Sequence, residues 1–140
     1  MNNRVLWLRI SYWTGAIIDA FACVPMWSTK VFAIYSGVRN FNPGWDFRYA
    51  MAFGSALMAG WTVLLVWADR KPLERRGVLL ITVFPVIVGL NVSRYLLYLG
   101  GYLPTPFPLQ SLVLPAVLTA LFLFSYVNSF RKNVTAGSVP

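Results

Sequence analysis

The sequence predicts an all-α fold, a polytopic membrane protein with four transmembrane helices in an antiparallel bundle. Three observations predict it. The chain of 140 residues is 58% apolar and only 11% charged, whereas soluble domains carry about a quarter charged residues. Its mean hydropathy is +0.62. Four long apolar stretches recur, each near the roughly 20 residues that cross a hydrocarbon core of about 30 Å, and backbone amides in lipid must be satisfied within their own segment, so the stretches read as helices. They run over about 10–27, 49–68, 78–99 and 107–130, and the whole chain, 1–140, reads as one domain.

The first span follows Arg4 and Arg9, which gives it the look of a signal peptide, but Asp19 in the middle of the apolar run argues against that reading. Between the first and second spans lies "STKVFAIYSGVRNFNPGWD". Val31, Phe32, Ile34, Tyr35 and Val38 form the apolar side of a short interfacial helix, capped by Ser28 and ended by Gly37. Pro43 and Gly44 then make a turn. The second span carries Ala52, Ala56 and Gly60 at every fourth position. Small residues at that spacing let helix backbones approach closely in lipid, and Gly15 serves the first span in the same way. Pro25, Pro85 and Pro115 each remove one helical hydrogen bond from the first, third and fourth spans.

Orientation follows from the basic residues. Arg4, Arg9, Arg70, Lys71, Arg75, Arg76, Arg131 and Lys132 share one side of the predicted threading, while the "GGYLPTPFP" loop opposite has no charge. The positive-inside bias therefore puts both termini in the cytoplasm, with the plasma membrane as the expected location. The net charge of +8 is accounted for at span ends, where lipid headgroups read it, and nucleic acid is not expected as a partner. Membrane lipids, a homo-oligomer or a larger membrane complex are the expected partners.

Asp19 is the residue that most needs an explanation. Burying an ionised group at the bilayer centre costs from about 3 to more than 10 kcal/mol, so a carboxylate there is paired, hydrated or neutral. It stands eight residues before Trp27, and Arg94 stands six before Gly100, which sets the two at roughly 12 and 9 Å from the same interface. The offset is within an arginine's reach. The expectation is an Asp19–Arg94 pair, with Asn91, Tyr12 and Tyr95 as further hydrogen-bonding groups. This polar spot in the outer half of the bundle is the candidate ligand-binding site. A purely structural role for the pair, fixing which helix faces which, is the competing reading.

Other chemistry finds little support. Histidine is absent and Cys23 is the single cysteine, so metal and haem sites are not expected and no disulfide can form within the chain. No phosphate-cradling glycine loop, catalytic serine context or pair of intramembrane carboxylates is present, so neither a conventional enzyme nor a bound cofactor is expected. The expected role is binding of a lipid, a small amphiphile or a membrane-protein partner. A small oligomeric or proton-coupled transporter and an accessory subunit of a larger complex are the alternatives.

A four-span layout with Asp19 in the first helix, "TVFPVIVG" in the third and "LVLPAVLTALFLFSY" in the fourth resembles the EXPERA family of emopamil-binding-type proteins. The resemblance implies cytoplasmic termini and a bundle that encloses a cavity for sterol-like amphiphiles. The isomerases of that family use histidine and more than one intramembrane acid, neither of which stands here, so the resemblance implies binding without isomerase chemistry. Through "YAMAFGSALMAGWTVLLVWADRKPLERRGVLL" the sequence is also similar to small prokaryotic membrane proteins, which implies no activity.

Overall fold

The computed structural model describes residues 3–36, 41–101 and 110–130, and among these it is all-helical, without strands. The elements are α1 (Asn3–Trp27), α2 (Thr29–Ser36), α3 (Trp45–Asp69), α4 (Gly77–Ile81), a π-helical segment (Thr82–Val88), α5 (Gly89–Leu99) and α6 (Gln110–Asn128). Two helices are long and apolar enough to cross a membrane: Trp45–Asp69, with 25 residues, and the continuous Gly77–Leu99, with 23. A shorter apolar helix covers Leu112–Asn128. Gly37, residues 107–109, Arg131 and Lys132, on which parts of the expected threading rest, lie outside the described residues.

The chain forms two compact units, Tyr12–Arg70 and the combination of Met1–Ser11 with Lys71–Pro140. Within Tyr12–Arg70, α1 and α3 run antiparallel. At one level the Trp13 indole donates to Asp69 Oδ2 at 3.2 Å. At another, Cys23 Sγ donates to the Ser55 carbonyl at 3.6 Å while Ser55 Oγ donates back to the Cys23 carbonyl at 3.4 Å. Gly54 lets Met26 approach, since a Cβ there would meet its sulfur at 3.7 Å. Gly15, Ala16, Ser55, Leu65 and Ala68 are buried. The expected stripe of Ala52, Ala56 and Gly60 is exposed instead, and a Cβ on Gly60 would meet nothing within 4 Å. The close approach of α3 to α1 runs along the adjacent edge at Gly54 and Ser55, because the Ser55 hydroxyl and carbonyl bond across it.

The short helix expected after the first span is present as α2, and Ser28 Oγ accepts from the Val31 amide at 3.5 Å, the capping role its sequence position predicts. Phe32 of α2, Phe41 of the following turn and Phe47 of α3 stack in a three-ring cluster, with centroids 5.1–5.3 Å apart. Offset and edge-on aromatic contacts of this kind add about 0.5–1.5 kcal/mol each beyond area burial.

In the other unit, α4 and the π-helical segment lie along α6, with Leu79, Val83 and Phe122 buried and the N-terminal Leu8 also buried. Trp7 meets Phe124 edge-on at 5.2 Å. Ser11 Oγ donates to Ser125 Oγ at 2.7 Å, and Ser125 Oγ donates to the Trp7 carbonyl at 3.2 Å. The Arg76 guanidinium stacks 3.7 Å from the Phe130 ring and donates to Ser129 Oγ at 3.4 Å, which ties the basic turn to the end of α6. Lys71 and Glu74 pair at 3.0 Å on the surface of that turn.

The third apolar stretch does not kink at a single residue as Pro85 alone suggests. Seven residues, Thr82–Val88, adopt π geometry with Pro85 inside. Proline has no amide hydrogen and its ring clashes with the carbonyl four residues back, so the wider i→i+5 pattern accommodates it. Thr82 Oγ1 donates to the Val78 carbonyl at 2.8 Å as the π segment begins. Further on, α5 ends at Gly100 and Gly101, whose amides donate to Leu96 and Tyr98, and Gly101 takes the positive φ of 73° that glycine supplies at a helix C-terminus.

Candidate functional site

The wide turn and the two prolines open a groove between the π segment with α5 on one side and α6 on the other. It has a volume of about 630 Å³ and is lined by Ile87, Val92 and Asn91 with Tyr95 from the first side, and by Pro115 and Thr119 from α6. Ala116 and Ala120 complete its α6 wall. Proline, two alanines and a threonine are small for a helix surface, and their spacing of one turn places the low side of α6 toward α5. The lining is overwhelmingly apolar. Its polar groups are the Asn91 amide, the Tyr95 hydroxyl and the Thr119 hydroxyl.

Asn91 is held in place by its own helix. Its Nδ2 donates to the Ile87 carbonyl at 2.7 Å, at the point where π geometry passes into α geometry. With the donor end engaged on the backbone, the amide oxygen is the end left to accept from a ligand. Tyr95 is exposed, one turn further along the same face. Ligand sites commonly combine a largely apolar wall with a few placed polar groups, and this groove has that form.

No protein-family model, curated protein or solved structure matches this chain. The site therefore stands on its geometry alone.

Of the residues the sequence singles out, Asn91 and Tyr95 line the groove together. Arg94 is exposed on α5, about 60° around the helix from Asn91 at 100° per residue. Tyr12 is fully buried, as a core side chain. Asp19 belongs to the unit of Tyr12–Arg70, where its Oδ2 is buried and has no hydrogen-bond partner among the described residues. Arg94 belongs to the other unit, and the expected pairing of the two is taken up below as a proposal. Among the described residues no group of three or more His, Cys, Asp or Glu side chains is placed to hold a metal.

The α6 wall escapes sequence reading. Pro115, Ala116, Thr119 and Ala120 form two interleaved i, i+4 pairs, and that spacing of small residues beside a proline is the signal that marks them.

Proposed function

We propose that this protein is a four-span integral membrane protein of the plasma membrane, with both termini cytoplasmic, that binds a lipid or small amphiphile in the groove between α5 and α6. The observation that carries the reading is the groove itself, an apolar cleft of about 630 Å³ whose polar groups include Asn91, Tyr95 and Thr119. An amphiphile lays its hydrocarbon along Ile87, Val92 and Pro115 and turns its headgroup to Asn91 and Tyr95, with Arg94 on the flank. Asp19 pairs with Arg94 in this reading, which supplies the partner that the buried Asp19 Oδ2 lacks within its own unit. Two apolar helices of membrane-crossing length support the membrane assignment.

The test is to fill the groove. Ala116→Phe with Ala120→Leu occupies the α6 wall at two exposed positions, where added side chains disturb no buried neighbour. Native mass spectrometry of gently extracted protein is expected to show a co-purifying amphiphile on the wild type and at least a tenfold loss on the double variant, with helix content unchanged. Equal retention by both proteins refutes the site.

A second reading has its own observation. Ala52, Ala56 and Gly60 form an exposed smooth face on α3, the kind of surface on which another membrane helix, from a second copy or a larger complex, approaches closely.

A further inference from the structure

We infer a second binding site, at the α1–α2–α3 end of the Tyr12–Arg70 unit, for a phosphate-bearing anion. It does not rest on the groove reading, since all of its residues lie in the other compact unit. A cavity of about 470 Å³ is lined there by Trp27, Ser28, Thr29, Lys30, Arg48 and Met51. Two cations from different helices, Lys30 on α2 and Arg48 on α3, thus line one space, and no carboxylate lines it.

The two charges are uncompensated. Among the described residues Lys30 has no ion-pair partner. Arg48 donates through Nε to the Pro43 carbonyl at 3.3 Å and through Nη2 to Asn42 Oδ1 at 3.4 Å, both neutral oxygens. These contacts fix the guanidinium without cancelling its charge, and leave Nη1 as a free donor. Asp46, the nearest acid in the sequence, folds back over the start of α3, where a Cβ on Gly44 would lie 2.5 Å from its Oδ1. Two like charges held on one cavity repel unless an anion sits between them. The arrangement is also built: Phe32, two residues after Lys30, and Phe47, one before Arg48, are locked together through Phe41.

The remaining lining gives the ligand its class. Ser28 Oγ accepts from the Val31 amide, so its proton is available to donate, and Thr29 adds a second hydroxyl. Four donors of this kind suit phosphate oxygens, for which charge-assisted hydrogen bonds are the strong ones. Met26, Trp27 and Met51 make the floor apolar, and Trp27 and Trp45 stand exposed at the same helix ends, as indoles do at a membrane interface. A phosphodiester attached to hydrocarbon fits this combination, which makes an anionic phospholipid headgroup the favoured source and free phosphate the other.

Photolabelling of the full-length protein in bilayer nanodiscs tests the site. A photoactivatable phosphatidylglycerol is expected to leave adducts on residues 26–30 and 48–51, with a diacylglycerol probe that lacks the phosphate labelling them at least fivefold less. Lys30→Gln and Arg48→Gln are each expected to lower labelling about fivefold, following the effect of one basic residue near an anionic surface, while Lys30→Arg and Arg48→Lys retain it. Competition by excess inorganic phosphate assigns the site to the free anion, and resistance to it assigns the site to lipid; either result supports a phosphate site. Equal labelling by the two probes on the wild type, adducts confined to other residues, or full labelling of a folded Lys30→Gln/Arg48→Gln double variant overturns it.

Discussion

Replacing Ser125 with alanine breaks two hydrogen bonds at once. Ser125 Oγ accepts from Ser11 Oγ at 2.7 Å and donates to the Trp7 carbonyl at 3.2 Å, and both serines are 0% exposed. In Ser125→Ala the Ser11 hydroxyl loses its acceptor where no water reaches, and the Trp7 carbonyl loses a donor beyond its helical one. Net hydrogen bonds in proteins are worth about 1 kcal/mol each, and those between membrane helices average about 0.6 with a maximum near 1.7. Two bonds therefore give a destabilisation of about 1–2 kcal/mol. Ser11→Ala removes only one of them, since Ser125 still reaches Trp7, so it is expected to cost about 0.6–1 kcal/mol. The double variant loses the shared bond once, not twice, and is less harmed than the sum by the worth of that bond, roughly 0.6 kcal/mol or more. Unfolding in mixed micelles by titrated denaturing detergent, followed by circular dichroism, measures all three. A Ser125→Ala variant as stable as the wild type, or strict additivity in the cycle, refutes the reasoning.

Two further outcomes follow from the proposals. Asp19→Asn and Arg94→Gln are each expected to destabilise the detergent-solubilised protein, with a coupling of about 0.5–3 kcal/mol in the double variant; additive effects in the same unfolding assay remove the pairing. Ala56→Ile, at an exposed position on α3, is expected to weaken self-association in bilayers about tenfold, the effect of roughly 1–2 kcal/mol of overpacking in a close helix contact, without loss of helix. Single-molecule photobleaching counts the copies, and a wild type that is monomeric in the same bilayers removes the second-copy reading.

What the sequence makes legible is what depends on local chemistry. Ser28 marks the start of α2 because a serine hydroxyl can satisfy an open amide, and it does so for Val31. Apolar runs of the right length mark Trp45–Asp69 and Gly77–Leu99, although helix continues past the apolar stretch at the first span, back to Asn3. Which side of a helix meets which neighbour is not local. Spacing alone favours Ala52, Ala56 and Gly60 for packing, yet α1 meets the edge at Gly54 and Ser55, where a hydroxyl and a carbonyl cross-bond with Cys23. The groove divides in the same way. Asn91 and Tyr95 stand out as polar residues in an apolar run, whereas the opposing wall of Pro115, Ala116, Thr119 and Ala120 has nothing but smallness to announce it. The lining of Lys30 with Arg48 depends on a three-ring aromatic cluster that no spacing rule foretells.

The π-helical stretch from Thr82 to Val88 makes chain length, as well as side-chain identity, a determinant of the molecule. A wide turn holds about one residue more than an α turn over the same rise, so deleting any single residue within it lets regular α geometry close up. Everything downstream then rotates by about 100°, and Asn91 and Tyr95 swing off the wall they share while their neighbours take their places. A substitution at Val86 stays a local event; a one-codon deletion beside it is a change of phase for all of α5. Natural variants of this helix can therefore drift in composition far more freely than in residue count.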